Sequence, residues 1–152
     1  MTSQVREILI IKGQKHGLSC LPDIPVDTEY IEKLVPEEGK KFFSGIYDST
    51  ACWRKYIGTW EIKDDKFYFL DIKGLYRKRN KDPVFADWYS GTLKYPQGKL
   101  LKSVNLAFAS VYEEEVNISI KSGIVQSTEI IDNRNRYFDE WTFRFWDRWQ
   151  LQ

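Results

Sequence analysis

The chain has 152 residues, of which 42% are hydrophobic and 30% charged, a balance typical of a globular rather than a disordered protein. A chain of this length buries enough surface to fold without disulfides or metals, so we expect residues 1–152 to form a single domain. The net charge of +1 gives no overall attraction to nucleic acids or anionic membranes.

Histidine and cysteine are too scarce for several kinds of catalytic or metal site. The sequence contains only His16, Cys20 and Cys52, whereas a zinc site takes three or four ligands at recognisable spacing. The same scarcity disfavours Ser-His-Asp and Cys-His catalysis. No glycine-rich phosphate-binding motif occurs. We therefore expect neither a metal nor a cofactor.

A single short apolar run, Ile8–Ile11, lies near the N-terminus between charged residues. It is too short for a signal peptide or a transmembrane span. Two cysteines in a domain of this size are typical of reduced cytoplasmic thiols. We expect a cytoplasmic protein that begins at Met1 and has no membrane partner.

The N-terminal part of the chain predicts a hairpin and then a short helix. Arg6–Lys12 and Leu18–Leu21 are apolar enough for strands, and Gln14–Gly17 lies between them as the turn. Asp27 is an N-cap residue type, and apolar residues then recur at three- and four-residue spacing. The pattern predicts a helix over Thr28–Leu34.

The middle of the chain predicts a second hairpin. Trp60–Lys63 and Lys66–Ile72 flank Asp64-Asp65, a pair that favours a two-residue turn. Apolar residues occupy both faces of the second strand, so we expect both faces to be covered. One face carries Phe67 and Phe69, and the other carries Tyr68, Leu70 and Ile72.

The second half of the chain predicts two further hairpins. Gly91–Tyr95 and Lys99–Val104 flank a turn at Pro96-Gln97-Gly98. Tyr112–Ile120 alternates in polarity before a turn into Ile124–Ile131. Turns at this spacing favour a mainly β fold, an antiparallel sandwich or a partly open barrel, with one short helix.

The C-terminal segment 137–151 is rich in aromatic residues. Its rings fit a helical stripe and a strand alternation alike, and its aromatic and threonine content favours a strand over residues 137–146. We expect this segment to pack on the domain or on a partner through Trp141, Trp146 and Trp149.

The run from Ser49 to Tyr56 contains a candidate binding site. Trp53 offers apolar area, and Arg54 offers a planar fork for carboxylate or phosphate groups. The alternative interpretation is packing, with Cys52 buried and the arginine stacked on a ring. No histidine lies near Cys52 in the sequence, which argues against a nucleophilic role.

Asp87 and Trp88 form a second candidate cluster. Asp87 either forms a turn by accepting backbone N–H groups or pairs with Arg54 in a polar pocket floored by tryptophans. Glu114 lies on the apolar face of its predicted strand, where a carboxylate is either paired or at the rim. Asp87 and Glu114 thus give one alternative hypothesis, the acid–base pair of a small hydrolase or lyase.

Lys73–Lys81 is a basic segment. Four of its residues, Tyr76, Arg77, Lys78 and Arg79, resemble a loop that contacts phosphates, which gives single-stranded nucleic-acid binding as a second alternative. The other interpretation is a solvated loop, and the balanced net charge favours it.

Several segments together resemble a group of small bacterial proteins for which no activity is known. They are Ile8–Gly13, Ser49–Arg54 with Trp60–Ile62, Ala86–Gly91, Pro96–Leu101 and Ser110–Glu113. The likeness covers about residues 6–125, and Lys55 stands where that pattern has glycine. The resemblance implies a bacterial, cytoplasmic, single-domain protein, and it implies no activity, catalytic residue or cofactor.

Aromatic residues make up 16% of the chain, and tryptophan, tyrosine and arginine dominate the energetics of protein interfaces. We therefore expect a non-enzymatic module that binds another protein. The expected contacts are Trp53, Arg54, Trp88 and the three C-terminal tryptophans. A bacterial protein of this kind would fit an immunity or defence-accessory role.

Overall fold

The structure, a computed structural model, describes residues 3–25, 29–34 and 51–134. Within these ranges the chain is mainly β and contains no helix long and apolar enough to cross a membrane. The C-terminal segment 137–151 lies outside the described residues. The strands are β1 (Ile8–Ile11), β2 (Gln14–Gly17), β3 (Ile31–Lys33), β4 (Tyr56–Lys63), β5 (Lys66–Gly74), β6 (Tyr76–Lys78), β7 (Val84–Phe85), β8 (Gly91–Lys102), β9 (Val111–Lys121) and β10 (Ile124–Asp132).

Eight of these strands form one open sheet of mixed direction. Its order is β2-β1-β4-β5-β10-β9-β8, with β7 paired to β5, and β3 and β6 form a small second sheet. Strands β1 and β4 are parallel, and the other pairs in the described ranges are antiparallel. The predicted mainly β fold is confirmed, and the sheet is not a closed barrel.

The two strands at the ends of the sheet order, β2 and β8, approach each other because the sheet curls. The Ser19 N–H, just after β2, donates a hydrogen bond to the Lys94 carbonyl of β8 over 2.6 Å. The rings of His16 and Tyr95 lie 4.3 Å apart at the same place. No ladder joins β2 to β8 among the described residues, so this seam stays open.

Two-residue turns set the register of three hairpins. Lys12-Gly13, Asp64-Asp65 and Ser122-Gly123 all have positive φ at both positions, between 49° and 80°. This conformation gives a turn whose twist matches that of the strands. The turns at Asp64-Asp65 and before Ile124 agree with the sequence prediction. The turn predicted at Gln14–Gly17 is wrong, because Lys12-Gly13 already reverses the chain and those residues form β2.

The helix predicted over Thr28–Leu34 is wrong in the part that the structure describes, where Ile31–Lys33 is strand β3. Ile31 is buried in the core, and Glu32 forms an ion pair with Arg77 of the neighbouring β6. A helix of seven residues is marginal in water. The strand conformation wins because it gives this segment a partner strand and buries its isoleucine.

The hairpin predicted around Pro96-Gln97-Gly98 is also wrong, because β8 continues through this sequence along β9. Proline has no N–H to donate, and an edge strand such as β8 tolerates that loss. The register shifts after Gln97, where Gly98 has a φ of 84°. The proline and glycine therefore form an irregularity within an edge strand instead of a chain reversal.

The hairpins β4-β5 and β9-β10 are confirmed, with longer strands than predicted. Ile72 lies on the opposite face of β5 from the one predicted, because the pairing of β4 with β5 skips Leu70. This bulge places Ile72 in the core with Phe67 and Phe69, whereas strict alternation predicts opposite faces.

The core is built around Trp60 of β4. Its ring stacks on Phe67 with centroids 4.9 Å apart and planes 9° apart, and it meets Phe69 at 5.0 Å. All three side chains are fully buried. Such ring pairs add about 0.5–1.5 kcal/mol beyond the burial of their area. The surrounding core includes Leu9, Leu18, Leu93, Val116, Ile118 and Ile120.

Candidate functional site

A groove of about 780 Å³ lies where β2 ends and β4 begins. We call it the Trp88 groove. It is lined by residues 21–25 together with Tyr30, Tyr56, Asp87 and Trp88. Its volume falls within the range of 300–1,000 Å³ that is usual for ligand sites.

Three parts of the chain, around residues 21–30, at Tyr56 and at Asp87-Trp88, meet at the Trp88 groove. Residues 21–25 form the loop after β2, Tyr30 directly precedes β3, and Tyr56 is the first residue of β4. Asp87 and Trp88 form the turn after β7. The groove is therefore a product of the tertiary fold, assembled from strand ends and loops.

Trp88 is held in a defined orientation. Its indole Nε1–H donates a hydrogen bond to the Asp23 carbonyl over 2.7 Å. Its ring stacks on Tyr30 with centroids 6.5 Å apart and planes 29° apart. Pro22 and Pro25, both buried, fix φ on either side of Asp23 and so restrict the loop that accepts this bond. The aromatic wall is thus preorganised.

Two carboxylates, Asp23 and Asp87, line the groove, and none of the described lining residues is cationic. Neither carboxylate forms a salt bridge with any residue that the structure describes. Burial chiefly raises the pKa of Tyr56, which lines the groove; the charges of Glu7 and Asp23 raise it further, and the Arg54 charge opposes the rise. The groove therefore combines aromatic walls with a negative potential.

Arg54 pairs with Glu7, so the alternative in which it pairs with Asp87 is wrong. The Arg54 Nη2 atom lies 2.9 Å from Glu7 Oε2, and the Glu7 side chain is fully buried. The same carboxylate accepts hydrogen bonds from the Gly58 N–H at 2.6 Å and from Trp60 Nε1 at 3.4 Å. Burial raises the pKa of Glu7, although the Gly58 N–H and the Arg54 charge oppose the rise.

Arg54 nevertheless supports the Trp88 groove from behind. Its guanidinium lies 5.6 Å from the centroid of the Tyr56 ring, and Tyr56 lines the groove. The Arg54 side chain is only 9% exposed, and its Nε is buried without a hydrogen-bond partner among the described residues. The packing interpretation of Arg54 therefore holds, and it is not available as a surface contact.

Trp53 lies outside the lining of the Trp88 groove. Its backbone N–H donates a hydrogen bond to Gln4 Oε1, and its side chain is 50% exposed. The structure thus separates the two tryptophans that the sequence analysis combined in one pocket. The exposure of Trp53 makes it a useful comparison for Trp88.

The thiols and the single histidine occupy packing positions. Cys52 is fully buried, and its Sγ lies 3.5 Å from the Tyr56 carbonyl. Burial raises the pKa of the Cys20 thiol, which disfavours the reactive thiolate. Burial also lowers the pKa of His16 beside the Tyr95 ring. No cluster of three or more His, Cys, Asp or Glu residues with metal-binding geometry occurs among the residues described.

Asp87 and Glu114 line two different cavities. Glu114 borders a small cavity of about 40 Å³, where it accepts a hydrogen bond from Gln97 Nε2 at 3.1 Å and lies 3.6 Å from Arg134. Asp87 lines the Trp88 groove. A general acid and base must flank one scissile bond. The structure therefore does not bring the predicted pair together.

The basic segment Lys73–Lys81 is not a free loop, because its centre is strand β6. Arg77 and Arg79 both form ion pairs with Glu32. The Lys78 ammonium donates hydrogen bonds to backbone carbonyls of the following turn. Tyr76 packs edge to face on Tyr56, 5.7 Å away, and is half-buried. All four candidate phosphate contacts are thus engaged within the protein.

Sequence reasoning identified Asp87 and Trp88 but missed their partners in the groove. No local pattern connects Pro22 or Pro25 with Trp88, and Tyr30 falls within the predicted helix. The repeated proline beside Asp23 is the one local signal that could have marked a rigid binding loop. Trp141, Trp146 and Trp149 lie outside the described residues. No protein-family model, curated protein or solved structure matches this chain.

Proposed function

We propose that this chain is a non-enzymatic module that binds another protein through the Trp88 groove. The observation that carries the proposal is the groove itself, in which Tyr30, Tyr56 and Trp88 line a cavity of about 780 Å³. Tryptophan and tyrosine are enriched among the residues that dominate binding energy. A preorganised aromatic wall lowers the entropic cost of binding, because its rings are already ordered.

The alternatives from other classes have less support. An acid–base enzyme lacks a shared cavity for Asp87 and Glu114. A nucleic-acid binder would need Arg77 and Arg79, which are paired with Glu32.

The proposal narrows the surface expected from the sequence to Trp88 and its neighbours. Arg54 contributes by supporting Tyr56, and Trp53 lies outside the groove. Bacterial origin, a cytoplasmic location and a defence-accessory role remain part of the proposal, on the strength of the resemblance and of the reduced-thiol argument alone. The partner is accordingly sought among bacterial cytoplasmic proteins.

The test is an affinity pull-down that compares wild type with Trp88→Ala and Trp53→Ala. Trp53→Ala is the matched control, because it removes an exposed tryptophan that does not line the groove. We expect mass spectrometry to identify a protein that is retained by wild type and Trp53→Ala and lost with Trp88→Ala. Circular dichroism checks that each variant is folded.

A second variant covers the case in which Trp88→Ala unfolds. Leu21 lines the groove and is 46% exposed, so Leu21→Arg should obstruct the groove without opening the core. Equal capture of the same proteins by wild type, Trp88→Ala and Leu21→Arg would overturn the proposal.

A further inference from the structure

We infer that the group which the Trp88 groove receives is a cationic side chain of the partner, the guanidinium of arginine or the ammonium of lysine. This inference rests on the proposed function and specifies the chemistry of the partner. It is carried by the charge and the aromatic lining of the groove together.

The negative charge of the groove favours binding of a cation. Asp23 and Asp87 both line it, whereas lysine, arginine and histidine are absent from its described lining. The Arg54 guanidinium contacts the groove residue Tyr56, but it is already paired with Glu7. An entering cation would therefore meet two carboxylates that no described residue neutralises.

The walls of the groove favour a cation over a neutral or anionic group. Tyr30, Tyr56 and Trp88 present π systems, and the quadrupole of such a ring attracts a cation that lies over its face. Arg54 already contacts Tyr56 in this way from within the protein, at 5.6 Å. An apolar segment in the groove would instead cover the carboxylates without pairing them, which is unfavourable.

The size of the groove fits a side chain that is still attached to its backbone. A cavity of about 780 Å³ exceeds what a single guanidinium requires and leaves room for the flanking residues of a peptide. The stem of lysine or arginine is apolar and would lie along Leu21 and Ile24 at the groove. The partner segment is therefore expected to present arginine or lysine on an accessible loop or terminus.

The experiment titrates the full chain, labelled with ¹⁵N at tryptophan, with four probes. They are N-acetyl-arginine amide, N-acetyl-lysine amide, N-acetyl-citrulline amide and N-acetyl-norleucine amide. The indole N–H signal of Trp88 is assigned by its loss in Trp88→Phe. We expect this signal to shift with the arginine or lysine probe at millimolar concentration, and to shift at least tenfold less with the two neutral probes at the same concentration.

Substitution of the carboxylates provides the second arm. Asp87 is exposed and makes no side-chain hydrogen bond to a described residue, so Asp87→Asn should fold and weaken binding of the cationic probe at least fivefold. Glu129→Gln, an exposed carboxylate on β10 outside the groove, is the matched control and should leave binding unchanged. Asp23→Asn repeats the test at the other carboxylate.

Two results would overturn the inference: no shift of the Trp88 signal with either cationic probe, or equal shifts with citrulline and arginine. Either result leaves the proposed function standing if the pull-down still depends on Trp88. Conversely, binding of the cationic probes combined with a Trp88-independent pull-down would confirm the cation site and refute its use in capturing that partner.

Discussion

The Glu7 carboxylate and the Arg54 guanidinium meet 2.9 Å apart in the interior, and each belongs to the segment that leads into one strand of the parallel pair β1 and β4. Glu7 also accepts the Gly58 N–H, and Arg54 also stacks on Tyr56. The ion pair therefore links the start of the main sheet to one wall of the Trp88 groove.

Removal of Arg54 should destabilise the protein strongly. Arg54→Met leaves Glu7 as an unpaired charge in a fully buried position, which costs about 3–5 kcal/mol. The unfolding free energy from urea titration measures this loss. The double variant Glu7→Gln with Arg54→Met should be more stable than Arg54→Met alone, because no buried charge is left. An Arg54→Met variant within about 1 kcal/mol of wild type would contradict the structural role of the pair.

Stability should depend on pH through Glu7. Because burial raises the pKa of Glu7 above its ordinary value of 4.5, the folded protein binds more protons than the unfolded chain between the two values. The contribution of Glu7 is therefore complete below pH 4.5 and is lost as pH rises through the raised pKa. We expect Glu7→Gln to remove this decrease from a series of urea titrations at increasing pH. An unchanged pH profile in that variant would show that Glu7 is not the responsible group.

Glu113 should show the opposite dependence. It accepts hydrogen bonds from the Lys99 N–H at 2.6 Å and from Arg134 Nε at 3.0 Å, which hold the pKa of Glu113 below its ordinary value of 4.5. Its contribution is present above pH 4.5 and is lost as pH falls through the lowered pKa. In the same urea titrations, Glu113→Gln should remove only the decrease in unfolding free energy that occurs as pH falls below 4.5. A change confined to pH above 4.5 would argue against these contacts.

Two glycines with similar backbone angles should respond differently to alanine. Gly123 has a φ of 80°, and a Cβ there would lie 2.7 Å from the Ala86 carbonyl oxygen and 2.8 Å from the Phe85 ring. Gly13 has a φ of 76° and nothing within 4 Å of its Cβ position. Gly13→Ala should cost about 1–2 kcal/mol from the left-handed backbone alone. Gly123→Ala should cost about 1–3 kcal/mol more, because it also overpacks a closed site.

Thermal unfolding followed by circular dichroism measures both glycine variants on one scale. The difference between the two losses of stability measures the steric cost at Gly123, because the cost of the left-handed backbone is nearly the same at both sites. Equal losses at Gly123 and Gly13 would mean that the strand β7 does not press against the turn between β9 and β10 as the structure has it.

The two thiols should be slow to react in the folded protein. Cys52 is fully buried, and burial raises the pKa of Cys20, which lowers its reactive thiolate fraction. We expect a thiol-specific chromogenic reagent at neutral pH to label the folded protein at least tenfold more slowly than the urea-unfolded chain. Rapid labelling of the folded protein, assigned to Cys52 by mass spectrometry, would contradict its buried position.

The local sequence pattern was sufficient to predict those strands that flank a recognisable turn sequence or alternate in polarity. The Asp64-Asp65 turn and the alternation over Tyr112–Ile120 are properties of adjacent residues, so the corresponding hairpins could be predicted. The wrong predictions concern segments whose conformation is determined by pairing with a strand that is distant in the sequence. Pro96-Gln97-Gly98 has the composition of a turn, yet pairing with β9 keeps it extended. Thr28–Leu34 has helical spacing, yet within it Ile31–Lys33 pairs with β6 and is a strand.

In the candidate site too, residues that are neighbours in the sequence could be predicted, whereas residues that only the fold brings together could not. Trp88 and Asp87 stand out as neighbours in the sequence, whereas Tyr30 and Tyr56 reach the groove from separate segments. Glu7 gave no local sign of burial, because a glutamate before an apolar run is ordinarily solvated. Its role depends on Arg54, which lies 47 residues further along the chain. Long-range pairing of this kind is invisible to periodicity.

The junction between β5 and β10 has a consequence for cooperativity. One residue pair, Lys66 with Ile124, joins these strands, with hydrogen bonds from Phe67 to Gly123 and from Val125 to Asp65 on either side. The block β2-β1-β4-β5 is thus joined to the block β10-β9-β8 mainly through side chains in the shared core. We expect amide exchange to protect the two blocks together only while that core remains intact, so that loosened packing would let the halves open separately.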